Sequence, residues 1–137
     1  MIAIDLNAEI SKLKMLHGRT PEMTSAQRAG SSTRLATYRD SGVWASKSAG
    51  KGAWERHPDG DEYVHILDGA GTLEIVSDDD ARPQSITVRA GMVAIVPRGA
   101  WHRFDYPEGL TMITLTPGQS EFVRADVDDP RAVTPER

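Results

Sequence analysis

From Thr33 onward, apolar and polar residues alternate in short runs separated by Gly, Pro and Asp clusters. A period of two puts successive side chains on opposite faces and predicts strands. The runs are Thr33–Arg39, Val43–Ser48, Gly52–His57, Glu62–Leu67, Thr72–Val76, Ser85–Val88, Met92–Val96, Trp101–Phe104 and Leu110–Thr116. Between them stand turn signals such as Asp40-Ser41-Gly42, Pro58-Asp59-Gly60-Asp61, Asp68-Gly69, Pro97-Arg98-Gly99 and Pro107-Glu108-Gly109. Short strands at this spacing predict an all-β sandwich or closed barrel and exclude a βαβ unit.

The first 32 residues follow a different rule. Leu6, Ile10, Leu13 and His17 recur at helical spacing, with Asp5 or Asn7 as a cap and Gly18 as a stop. Thr20-Pro21-Glu22 reads as the start of a second short helix ended by Gly30. The expected organisation is a mostly helical extension over 1–32, a β-domain over 33–116 and a polar tail over 117–137. That tail is either an arm on the surface or disordered.

Composition narrows the function classes. The chain of 137 residues has 16 Lys+Arg and 20 Asp+Glu, a net charge of −4. That balance argues against a nucleic-acid partner, which needs a basic face. No apolar run is long enough to span a membrane, and no leader pattern opens the chain, so a cytoplasmic setting is expected. The absence of cysteine removes disulfides, Cys-ligated zinc and thiol nucleophiles.

Four residues carry candidate chemistry: Glu55, His57, Glu62 and His102. Glu55 and His57 are two apart on one predicted strand and share a face. Glu62 opens the returning strand of the hairpin, and His102 follows a separate turn. Imidazole nitrogen with carboxylate oxygen is a ligand set for a non-haem divalent ion.

Two segments resemble the paired motifs of the cupin superfamily. The first reads Glu55-Arg56-His57, four residues, Glu62, six residues, Gly69, against a family pattern that opens His-x-His. The second reads Gly91, five residues, Pro97-Arg98-Gly99, two residues, His102, three residues, Tyr106, against a pattern that closes on Asn. The resemblance implies a small jelly-roll barrel with one metal in its mouth, held by Glu55, His57, Glu62 and His102. Glu55 stands where the family has its first His, and Tyr106 where it has Asn. Glu55 is therefore either a ligand or an ion-pair partner of Arg56 or Arg103. Two carboxylates with two imidazoles suit Fe, Mn, Ni or Zn.

The resemblance implies an isomerase, lyase or dioxygenase acting on a small polar substrate, with Tyr106 as proton donor. Arg98 or Arg103 is expected to meet an anionic substrate at the rim. Val64, Ile66, Val93, Ile95 and Phe104 are expected to form dry walls. The alternative is a non-catalytic cupin that binds a small ligand, with or without metal. Parity places Trp44, Trp54 and Trp101 on the outer face, under the N-terminal arm or in a homodimer interface.

Overall fold

The computed structural model describes residues 1–137. Its strands are β1 (Leu16–Arg19), β2 (Ser32–Tyr38), β3 (Ser41–Lys51), β4 (Trp54–Arg56), β5 (Glu62–Val76), β6 (Gln84–Arg89), β7 (Val93–Val96), β8 (Trp101–Pro117) and β9 (Glu121–Val123). One helix, α1 (Leu6–Ser11), precedes them, and a 3-10 turn over Pro130–Ala132 follows. The chain is all-β, consistent with a jelly roll.

The scaffold is the antiparallel pair of β5 and β8. It runs from Tyr63 opposite Leu115 to Val76 opposite Trp101. Each of these strands merges two runs that the sequence separates by turn signals. The reason lies in Gly69 and Gly109, with φ of +84° and +100°. They meet across the pair, and a Cβ on Gly69 would strike the Gly109 carbonyl. These residues bend a continuous pair at an irregular register instead of ending it. β3 and β4 flank β8 on its other edge, while β6 and β7 flank β5.

Alternation along β8 sends His102, Phe104, Tyr106, Leu110 and Met112 inward. Phe104, Tyr106, Leu110 and Met112 pack with Val64, Ile66, Leu73, Val88 and Val96 as the barrel core. The expected walls Val64, Ile66 and Phe104 are there. Val93 and Ile95 are not: they are 46% and 56% exposed. Glu62 pairs with Val96 and Val64 with Ala94, and residues directly opposite share a face. The inward residues of β7 are therefore Ala94 and Val96.

The outer face carries a second cluster of Trp54, Val76, Trp101 and Val123. Its cover is neither the N-terminal arm nor a second copy. β9 pairs with β4, and Ala125, Val127 and Val133 pack on the tryptophans. Trp54 Nε1 donates to the Val127 carbonyl at 2.9 Å. Arg131 donates to the Ser77 and Asp80 carbonyls, fastening the last residues to the loop after β5. Trp44 stands apart from this cluster, 39% exposed.

The N-terminal extension is mostly not helical. Asp5 caps α1 by accepting from the Ala8 amide at 3.1 Å, but the helix stops at Ser11. Leu16–Arg19 instead runs parallel to β3. A helix this short is marginal alone, and sheet pairing outweighs its propensity. Thr20 to Gly30 forms turns, where the side chains of Thr24 and Gln27 bond each other's amides. Such local bonds compete with a helix. No helix in the chain is long and apolar enough to cross a membrane.

Trp54 is fully buried and Trp44 is not. Trp54→Ala is expected to lower unfolding free energy by about 3–5 kcal/mol. Trp44→Ala should cost less than about 1 kcal/mol. Urea titration followed by circular dichroism measures both, and equal losses would contradict the role given to the C-terminal cover.

Candidate metal centre

Each of the four candidate ligands is delivered by strand geometry. Glu55 sits on β4 directly opposite His102 on β8. Glu62 opens β5, and His57 follows the last residue of β4. Pro58-Asp59-Gly60 then turns the chain back toward Glu62. Asp61 accepts from the Arg98 amide at 2.8 Å, and Arg98 Nε donates to the Pro58 carbonyl at 2.7 Å. Arg98 thus braces the turn and does not reach the site, contrary to its expected role at the rim.

The four donor atoms lie within 4.8 Å of one another. His102 Nε2 is 3.0 Å from Glu62 Oε1 and 3.3 Å from Glu55 Oε1. His57 Nε2 is 3.0 Å from Glu62 Oε2 and 3.7 Å from Glu55 Oε1. His57, Glu62 and His102 are buried, whereas the Glu55 side chain is 33% exposed. The alternative partners of Glu55 are committed elsewhere. Arg56 pairs with Glu121, and Arg103 pairs with Glu74 and Asp126 on the outer face. Glu55 therefore pairs with neither arginine, and the Arg103 guanidinium is committed to Glu74 and Asp126.

The other ring nitrogens have partners. His57 Nδ1 lies 2.9 Å from Ser120 Oγ, and His102 Nδ1 lies 3.3 Å from the Ala100 carbonyl. A proton on each Nδ1 satisfies both contacts and leaves each Nε2 toward the carboxylates, where it carries a second proton or meets an ion. Thr116 Oγ1 donates to Glu62 Oε2 at 2.6 Å, and Thr114 Oγ1 is 3.0 Å from Thr116 Oγ1. His57 Nε2 is buried without hydrogen-bond geometry to any acceptor, despite its short approach to Glu62. A buried polar atom left in this state costs free energy. A cation among the four donors relieves that cost, so the residues present fit a divalent ion.

Electrostatics give the same answer from the proton side. Burial alone would push the two imidazoles down, but the Glu55 and Glu62 carboxylates overcome it. They raise His57 to about 9 and His102 to about 10. Burial works against charge on Glu55 and Glu62 too, and the close imidazoles of His102 and His57 hold both below the ordinary carboxylate range. The cluster demands positive charge, as protons or as metal.

A cavity of about 590 Å³ adjoins this cluster. The two carboxylates face it, together with Tyr106, Phe104, Met112 and Trp44. Tyr106 is buried and its oxygen accepts from Arg19 Nη1 at 2.6 Å. Sequence reasoning missed Ser120, Thr114, Thr116 and Arg19. Thr114 and Thr116 share the parity of His102 along β8, and that signal could have found them. Nothing local marks Ser120 or Arg19.

The family model described as cupin domain matches residues 43–116. No curated protein matches the chain. Among solved structures, a cupin-2 domain containing protein from Shewanella frigidimarina is 25% identical with a TM-score of 0.59. That match covers 83% of this chain and 93% of that one. A protein from Neisseria meningitidis is 17% identical with a TM-score of 0.61, covering 85% and 100% of the two chains. A hydroquinone 1,2-dioxygenase from Sphingomonas, with 4-hydroxybenzoate bound, is 18% identical with a TM-score of 0.54. It covers 65% of this chain and 66% of that one. The last two similarities concern the fold alone. With paired motifs, an all-β fold and a family match over more than half its length, the chain belongs to the cupin domain family.

Proposed function

We propose that this chain is a metal-dependent cupin that processes a small polar organic substrate. Its ligands are Glu55, His57, Glu62 and His102. The observation that carries the reading is the buried His57 Nε2, which has no hydrogen-bond partner inside a cluster of four donors. Two carboxylates and two neutral imidazoles balance the charge of one divalent ion, and the mixed donors suit iron, manganese, nickel or zinc. Such an ion supplies Lewis-acid polarisation of a substrate oxygen, or dioxygen chemistry if it is iron.

The chain's own residues prepare the rest. Ser120 and the Ala100 carbonyl hold the imidazoles in one tautomer, and Thr116 fixes Glu62. Phe104 and Met112 keep one side of the cavity dry. Tyr106 receives a hydrogen bond from Arg19, which leaves its own O–H free to donate to a substrate oxygen. We assign Tyr106 as the proton donor of isomerase, lyase or dioxygenase chemistry. The aromatic ligand of the Sphingomonas dioxygenase supports a substrate of ring size. A second reading is a non-catalytic ligand-binding cupin. It is favoured by one observation: two protonated imidazoles neutralise the carboxylates without an ion.

Elemental analysis of protein purified without tag or chelator is expected to find one equivalent of iron, manganese, nickel or zinc. Absence of metal even after reconstitution would leave the second reading. Ser120→Ala is expected to weaken metal binding by about 10-fold, since it frees the His57 ring. His102→Ala should weaken it at least about 100-fold, because it removes a ligand outright. Competition with a fluorescent chelator measures both. Unchanged affinity in His102→Ala would refute the ligand set.

The metal-free chain has a pH signature. His57 and His102 are raised above their ordinary 6.5, so their contribution is complete below that pH. It is lost as pH rises through about 9 and about 10. Glu62 is lowered from 4.5, so its contribution is present above that pH and lost on acidification. The thermal midpoint should therefore peak between roughly pH 5 and 6.5 and fall toward pH 10. Saturating zinc should flatten the alkaline fall. A midpoint that rises from pH 7 to 10 in the metal-free chain would contradict these charges.

A further inference from the structure

The cavity beside the cluster has a second chemical character. Arg19 and Arg28 both line it, and neither side chain enters an ion pair. Each has a buried Nε without a hydrogen-bond partner. Arg19 spends one amino group on the Tyr106 oxygen, and the Arg28 guanidinium makes no hydrogen bond. Arg34 also lines the cavity and donates only to the Ser41 carbonyl, at 3.4 Å. Asp40, the other carboxylate on the lining besides Glu55 and Glu62, pairs with none of them.

These arginines are held there by the backbone. Arg19 lies on β1 opposite Gly50, whose φ is +129°. A Cβ on Gly50 would strike the Arg19 carbonyl, so this close approach requires glycine. Arg28 sits in the turn segment before β2, where its carbonyl accepts from the Ser31 amide and hydroxyl. Arg124 donates to the Met23 carbonyl and ties that segment to β9. Burial and the neighbouring Arg19 and Arg124 charges push the Arg28 guanidinium down, only partly countered by Glu55 and Tyr106. Arg124 is answered by Glu136, but Arg19 and Arg28 have no ion pair of their own, and like charges half-buried in this way cost free energy that an anion recovers.

We propose that Arg19 and Arg28 form the recognition site for a carboxylate on the organic substrate. Its reacting end then faces Glu55 and Glu62, and its apolar body lies against Trp44, Phe104 and Met112. The arginine fork suits a carboxylate, and the apolar lining suits a carbon body behind it. This inference rests on the metal-dependent reading above for where the reacting end lies, but the anion site itself is independent of the metal.

Benzoate and its neutral isostere benzamide are the probes, titrated calorimetrically into the full chain. Both metal-loaded and metal-free protein are used, so that coordination to metal cannot imitate the arginines. Benzoate is expected to bind at least about 10-fold tighter than benzamide in both forms. Arg28→Gln should weaken benzoate about 10-fold and leave benzamide unchanged, and Arg19→Gln should do the same. Arg28→Gln keeps the test decisive if Arg19→Gln fails to fold, because the Arg28 side chain bonds nothing else.

Equal affinities for the two probes, benzoate binding unaffected in Arg28→Gln, or no benzoate binding in the millimolar range would each overturn the proposal. Inorganic phosphate that displaces benzoate more tightly than benzoate itself binds would overturn the carboxylate assignment in favour of a phosphorylated ligand. Metal content is measured on the same samples. A chain that takes up no metal even on reconstitution, yet discriminates through Arg28, refutes the metal reading alone. A metal-loaded chain that does not discriminate refutes the anion site alone.

Discussion

Two carboxylates cannot share a mostly dry space without a positive charge between them. Glu55 and Glu62 are placed in that position, and the repulsion of Glu55 works against ionisation of Glu62. The surroundings follow from this one constraint. Two imidazoles approach the carboxylates with their Nε2 atoms, Ser120 and a backbone carbonyl fix the far side of each ring, and Thr116 takes one carboxylate oxygen. Each contact makes sense only if the centre accepts a cation, whether proton or metal.

β8 is the ruler that makes this arrangement possible. Within 17 residues it places His102 at the cluster, Phe104 and Tyr106 along the cavity, Leu110 and Met112 in the core and Thr116 beneath Glu62. Its odd positions face the other way, where Trp101 meets the C-terminal cover and Arg103 stacks on Trp54 at 4.6 Å. A slip of one residue would exchange the ligand and core set for the outer set. The pairing of β5 with β8 along their length makes such a slip costly.

Alternation and turn chemistry located most strands, and the four-ligand constellation was visible from motif spacing. What escaped came from contacts distant in sequence. Gly69 and Gly109 look like turn residues locally, and only their meeting across two strands shows that they bend a continuous pair. Val93 and Ile95 are expected as inward walls from the sequence, while the face of β7 is set by its partner β5. The cover on Trp54 lies 73 residues from the tryptophan that it bonds. The contact of Arg19 with Tyr106 spans 87 residues. No period within a window carries such information.

The brace on His57 has a consequence for when the centre can exist. Ser120 and β9 lie beyond the segment that carries all four candidate ligands. A nascent chain that has emerged only through Thr116 possesses every ligand, yet the His57 ring lacks its hydrogen-bond partner and β4 has a bare edge. Synthesis proceeds from the N-terminus, so the ligands emerge before the contacts that orient them. Early capture of an ion would therefore draw on a loose set of donors, open to whichever metal is most avid. Under the metal reading, discrimination among metals would belong to the chain after β9 has docked, and the last strand would be the timekeeper for loading.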